Sequence, residues 1–257
     1  MMGLLSDLEK TELSRERVQL DGGLFCDLAE YDIRDYGYAA FAENMEVGNG
    51  EFRRIRSMMP FRFLSVRSKD FDWSVYGEDV SKAKRCSNSF VIGFDRFVQE
   101  QRGLYIYSRA RTCGKTMLSC CLANEVMERR GTYTKFISVP DYLEMMKKKY
   151  RDLTEQEEID GIFNAELLIV DDIGAEAKKS WINDEILRLV SSRSSRRCTT
   201  IFTSTSSMLD LNLDERIRDQ IYQMCIPLKL PDVPVGRNKA EAEKSAFMDQ
   251  IRTGQAD

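Results

Sequence analysis

The clearest chemistry in the sequence lies at Ser108-Arg109-Ala110-Arg111-Thr112-Cys113-Gly114-Lys115-Thr116. A phosphate-binding loop ends in these residue types. Glycine lets the backbone approach an anion, lysine sets a point charge on the β and γ phosphates, and a threonine hydroxyl can reach Mg²⁺. Arg109, Ala110, Arg111, Thr112, Cys113, Gly114, Lys115 and Thr116 are therefore the candidate ATP contacts, with Thr116 also a candidate metal ligand. Lys115, on a loop expected to be exposed, should be removable at little cost in stability. The usual pattern is G-x-x-x-x-G-K-[ST], and Arg109 stands at its first glycine. Arg109 and Arg111 either add phosphate contacts or face solvent.

Gly-Lys-Thr alone is a weak signal, and a second motif strengthens it. Leu167-Leu168-Ile169-Val170-Asp171-Asp172 is an apolar strand ending in two carboxylates. In phosphate-loop nucleotidases such a strand runs near the first, and its acid holds the Mg²⁺ shell. Asp171 is the candidate metal residue, and Asp172 the candidate that orients an attacking water. A cap on the turn Ile173-Gly174 is the plainer reading of the pair. Thr199–Thr205 is a further strand whose polar end can sense a γ-phosphate through Thr205, or is simply a polar strand end. Arg216 and Arg218 follow Asp214 on a short helix. Either could act as an arginine finger on a neighbouring subunit, and a solvated helix face fits equally.

These residues need a scaffold, and the pattern supplies one. Phe90, Val91, Phe94, Phe97 and Val98 are spaced as on an amphipathic helix over 88–101, which Gly103 stops. Leu104–Tyr107 reads as a buried strand. Residues 115–130 read as a helix with Leu118, Cys121, Leu122 and Val126 on one face and Gly131 as its cap. A strand at 133–138 follows, then a helix opened by Pro140 and running to about Tyr150. Thr154-x-x-Glu157 is a capping box for the next helix. Strand 166–170, helix 181–192, strand 199–203, helix 213–224 and strand 225–230 complete the order. Strands alternating with helices predict an α/β fold, a five-stranded parallel sheet between two helical layers.

Composition removes other chemistries. The 257 residues contain no histidine, which excludes Ser-His-Asp and Cys-His catalysis and imidazole zinc sites. The seven cysteines include no C-x-x-C pair, and their odd number suits reduced thiols in a cytosolic protein. The net charge of −4 argues against bulk electrostatic attachment to DNA. No apolar run approaches the roughly 20 residues that span a bilayer, so no membrane role is expected.

The first hundred residues are less regular. Residues 1–20 read as a polar helix with Leu4, Leu5 and Leu8 on one side, giving a small, mostly helical N-terminal region. Phe52-Arg53-Arg54-Ile55-Arg56 and Phe61-Arg62-Phe63 mix bases with aromatics. They suit stacking on single-stranded nucleic acid, or tucking of the aromatics onto the next domain. Lys147-Lys148-Lys149-Tyr150-Arg151 and the trio Arg193, Arg196, Arg197 fit a DNA-facing element or a helix C-terminus. Residues 236–257 are polar and charged, ending in a frayed helix.

The order Leu104-Tyr105-Ile106-Tyr107, Gly114-Lys115-Thr116, Leu168-Ile169-Val170-Asp171-Asp172-Ile173-Gly174-Ala175-Glu176 and Ile201-Phe202-Thr203-Ser204 resembles the DnaC-type helicase-loader ATPases. The sub-type of phages and integrated elements of Gram-positive bacteria is nearest, and the resemblance covers roughly residues 70–245. Phe71-Asp72-Trp73 and Met224-Cys225-Ile226-Pro227-Leu228 belong to it. It implies an AAA+ three-layer αβα domain that binds the hexameric replicative DNA helicase through its N-terminal part and delivers the ring to single-stranded DNA. It also implies self-association, and it makes Arg237 the second sensor arginine. Thr205 stands where the family has asparagine, and Gln220 where it has the box VII arginine. The family's zinc module has no counterpart here. The expected division is a partner-binding region at 1–69, the ATPase domain at 70–235 and a tail at 236–257. IstB-like transposition helpers share these motifs, and an ATP-binding adaptor with little hydrolysis is the other alternative.

Overall fold

The computed structural model describes residues 15–19, 25–29, 50–149, 156–175 and 180–253. Leu4, Leu5, Leu8, Tyr150, Arg151, Thr154 and Glu176 of the sequence reading lie outside them. Strand β1 (Arg15–Gln19) pairs antiparallel with β2 (Phe25–Ala29). The helix expected over residues 1–20 is therefore a strand at 15–19. Arg15-Glu16-Arg17-Val18-Gln19 has no apolar period of 3.6 to hold a helix against a core.

The main sheet has the order β4-β5-β6-β3-β7 and is parallel throughout. Its strands are β3 (Gly103–Tyr107), β4 (Thr134–Ser138), β5 (Leu167–Asp171), β6 (Thr199–Ser204) and β7 (Cys225–Lys229). Five helices follow or link them: α4 (Lys115–Arg130), α5 (Val139–Lys149), α6 (Gln156–Asn164), α7 (Ser180–Ser195) and α8 (Glu215–Met224). Preceding the sheet are α1 (Gly50–Arg56), α2 (Ser81–Ile92) and α3 (Phe94–Gln99), and α9 (Val235–Thr253) ends the described chain. The single helix expected over 88–101 is thus two, broken at Gly93, and Val98 is exposed rather than packed.

Side chains alternate across the sheet, and both faces are covered. Leu104, Ile106, Leu167, Ile169 and Ile201 pack with Leu118, Cys121, Leu122 and Val126 of α4 and Phe90 of α2. Tyr105, Leu168, Val170 and Phe202 pack with the opposite layer, including Tyr142, Ile159, Ile186, Val190 and Ile217. Double burial explains why β5 is apolar at every position before Asp171. Gly103 is required by close approach: a Cβ there would lie 1.9 Å from the Thr200 carbonyl oxygen of β6.

The segment before the sheet is fastened to α4. Arg54 and Arg67 both pair with Glu128, at 3.1 and 2.8 Å. Asn124 Nδ2 donates to the carbonyls of Phe63 and Val66 at 3.0 and 2.9 Å. The Phe136 N–H at the edge strand β4 donates to Ser57 O at 2.7 Å. Among the described residues no helix is long and apolar enough to cross a membrane.

Candidate nucleotide-binding site

In a parallel sheet all carboxyl ends open on one edge, and ligands bind in the crevice outside it. Neighbours β5, β6 and β3 bring Asp171, the polar end of β6 and the 108–114 loop to that edge. Helix α4 begins directly after the loop, so its first N–H groups have no partner within the helix.

Gly114 closes the loop with φ +97°, a conformation that costs other residues strain. A Cβ there would meet the Phe71 ring at 3.2 Å and the Tyr76 hydroxyl at 3.3 Å. Tyr76 donates to Cys113 O at 2.5 Å, and Phe71, Trp73 and Tyr76 form one aromatic cluster over the loop. Burial raises the Tyr76 phenol well above its ordinary range, so it stays a donor. Arg109 is not among the residues with positive φ, so its position takes an ordinary side chain without strain. Arg109, Arg111 and Thr112 are exposed, Ala110 is half-buried and Cys113 is buried.

Lys115 is only 5% exposed, which corrects the expectation of an exposed lysine. Its ammonium donates to Ala110 O at 2.7 Å and Ser108 O at 3.2 Å, folded under its own loop. Thr116 Oγ1 donates to Asp171 at 2.9 and 3.1 Å, one distance to each carboxylate oxygen. Thr203 Oγ1 donates to Asp171 Oδ1 at 2.6 Å and accepts from the Asp172 N–H at 2.9 Å. Burial pushes the Asp171 carboxyl up, partly offset by the Thr203 and Thr116 hydrogen bonds. Asp172 is exposed in a left-handed conformation, φ +60°.

A hydroxyl and a carboxylate at the start of a helix, beside a lysine, are a hard-oxygen donor set suited to Mg²⁺ on a phosphate. The residues present fit Mg-ATP. Thr116 and Asp171 would hold the metal, and Lys115 and the loop N–H groups the phosphates.

The remaining candidates are placed as follows. Thr205 is half-buried, one residue past β6. Arg237 is exposed at the first turn of α9, with its backbone N–H 3.3 Å from Thr112 Oγ1. Arg216 pairs with its own helix cap, Asp214, at 3.0 Å, and its side chain is 70% exposed. Arg218 donates to Leu209 O at 3.4 Å. Gln220 accepts a hydrogen bond from Ser191 of α7 at 2.9 Å, a packing role between two helices. Arg193 is not DNA-facing. It is fully buried and donates to Thr199 O at 2.6 Å, to Thr200 Oγ1 at 3.2 Å and to Ala165 O. Lys147 lies over the Trp181 ring at 4.8 Å, a stacking contact within the chain.

The sequence reading missed Thr203, Tyr76 and Asp232. Asp232 binds the loop from the segment after β7. A polar residue just beyond any strand of a parallel sheet lies at the ligand edge, and that signal would have marked Asp232.

The chain is similar in sequence and in fold to known proteins. The chain is 33% identical over 107 residues to the replicative helicase loader DnaI of Bacillus subtilis (strain 168), covering 41% of this chain and 34% of that protein. It is 28% identical over 121 residues to the replicative helicase loader DnaC of Escherichia coli (strain K12), covering 46% and 49%. It thus spans between about a third and a half of the length of these curated relatives. The crystal structure of DnaI superposes with a TM-score of 0.58 at 28% identity, covering 67% of this chain and 94% of that one. The main fold is the αβα sandwich of the AAA+ phosphate-loop class. Residues 91–220 match the family described as IstB-like ATP binding protein, and the chain belongs to that family.

Proposed function

We propose that this protein is an ATP-dependent loader that binds a hexameric replicative DNA helicase and delivers it to single-stranded DNA at the start of replication. The observation that carries the reading is the Thr116–Asp171 pair at the mouth of the loop, 2.9 Å apart in a chain similar to two helicase loaders. Lys115 and the backbone N–H groups from 111 to 116 hold the phosphates, Thr116 and Asp171 hold Mg²⁺, and Asp172 orients water. Thr205 reads the γ-phosphate. Arg237 reaches the nucleotide from α9, and Arg216 or Arg218 acts on a neighbouring copy. Bound Mg²⁺ would neutralise charge building on the phosphates. Residues 1–69 contain the helicase-binding part, 70–235 the ATPase domain and 236–257 a polar tail. The protein acts in the cytoplasm.

Co-elution of the purified chain with a hexameric replicative helicase, with and without ATP, tests this. The reading expects an ATP-dependent complex that Lys115→Ala abolishes. A chain that ignores the helicase and instead binds a transposase would favour the transposition-helper alternative.

A second reading, an ATP-binding adaptor with little hydrolysis, is favoured by Gln220. That residue occupies an arginine position of the family and is bonded to Ser191. It cannot supply the charge that an arginine finger supplies. Under the adaptor reading Gln220→Arg raises ATP turnover, and unchanged turnover counts against it.

A further inference from the structure

The segment after β7 grips the loop at both ends. Asp232 Oδ1 accepts from the Arg109 N–H at 2.7 Å and from Ser108 Oγ at 2.9 Å. Ser108 Oγ lies 3.0 Å from Pro231 O and accepts from the Ala110 N–H at 3.2 Å. At the far end of the loop, the Gly236 N–H donates to Thr112 O at 2.8 Å. The second carboxylate oxygen of Asp232 faces Lys229 Nζ at 3.9 Å. Burial would raise this carboxyl, but the Arg109 and Ser108 hydrogen bonds together with the Lys229 and Arg109 charges hold it below the usual carboxylate range.

Arg109 stands where the usual loop has glycine, and its backbone needs no left-handed conformation. The corner is fixed instead by a carboxylate from a distant strand end. The carbonyls that hold the Lys115 ammonium belong to Ser108 and Ala110, the two residues on either side of Arg109. The same carboxylate network therefore sets both the loop corner and the resting place of the lysine.

We infer that Asp232 is a positioning residue of the phosphate loop. It latches Ser108 and Arg109 so that the later N–H groups of the loop stay presented to a phosphate. A loop ordered before binding loses less conformational freedom when the ligand arrives. The functional half of this inference rests on the ATP reading above; the latch itself does not.

Asp232→Ala and Asp232→Asn in the full chain test it, with Ser108→Ala as a second cut through the same network. Amide hydrogen exchange over residues 107–113 is measured without nucleotide. Affinity for a fluorescent ATP analogue with Mg²⁺ is measured beside it. Asp232→Ala should speed exchange across the loop and weaken the analogue about tenfold. Asp232→Asn, which keeps an acceptor oxygen, should restore most of both. Unchanged exchange in Asp232→Ala overturns the latch. Faster exchange with unchanged affinity overturns its role in binding. If the unaltered chain binds no analogue, the ATP reading fails while the exchange result still decides the latch.

Discussion

Thr116 and Asp171 lie 55 residues apart in sequence, and their side chains meet at 2.9 Å. One opens α4 and the other ends β5, so the contact depends on β3 and β5 flanking β6 in a parallel sheet. Neither residue means much alone. Joined, they are a hydroxyl and a carboxylate beside a buried lysine at a helix start, which is what a metal-bound phosphate requires.

Gly114→Ala tests the loop geometry. The left-handed backbone costs a non-glycine residue about 1–2 kcal/mol, and the new methyl presses on Phe71 and Tyr76 at 3.2 and 3.3 Å. The expected result is a lowered melting temperature with much weaker nucleotide binding. A variant melting and binding like the parent contradicts the placement of the aromatic cluster over the loop.

Arg193 separates a structural arginine from a DNA-binding one. Arg193→Ala leaves the carbonyls of Ala165 and Thr199 short of a donor inside the protein. The loss should be about 3 kcal/mol, from unsatisfied buried acceptors and a cavity. Thermal unfolding should show it as a clear fall in Tm, with DNA affinity of the folded fraction unchanged. Selective loss of DNA binding at unchanged Tm would restore the DNA-facing reading.

The strands and the phosphate loop were legible because double burial and helix–strand alternation leave strong marks. Leu167 to Val170 could belong to no surface element. The failures have physical causes. Arg193 looked like a basic surface residue because sequence does not reveal that the carbonyls of Ala165 and Thr199 would surround it. The 88–101 segment looks like one continuous helix in sequence because its apolar period runs across Gly93. Residues 15–19 carry too few apolar positions to distinguish helix from strand. Asp232 escaped notice because its partners, Ser108 and Arg109, lie over 120 positions away.

Lys135 gives a pH test. Burial, then the neighbouring Arg56 charge, pulls its ammonium down to about 8, while Glu158 opposes them. The unfolded value is about 10.4. Between these values the unfolded chain binds more protons, so this residue's contribution to stability rises with pH. At pH 7 the buried charge is a cost that Lys135→Met removes. The variant should melt above the parent at pH 7, and the gap should narrow towards pH 10. A constant gap would show that the ammonium is not the source of the cost.

An ATP site built from the Lys115 loop and Asp171 must bind Mg-ATP saturably and through Lys115. Isothermal titration of Mg-ATP into the unaltered chain and into Lys115→Ala tests it most directly. Among the described residues Lys115 hydrogen-bonds only within its own loop, so the variant should stay folded, with a lowered Tm from the two carbonyls left without their donor. The expected result is saturable binding to the parent and a loss of at least about a hundredfold in the variant, the scale of a desolvated charge pair of about 3 kcal/mol. Equal affinity in a folded variant would contradict the assignment of the site.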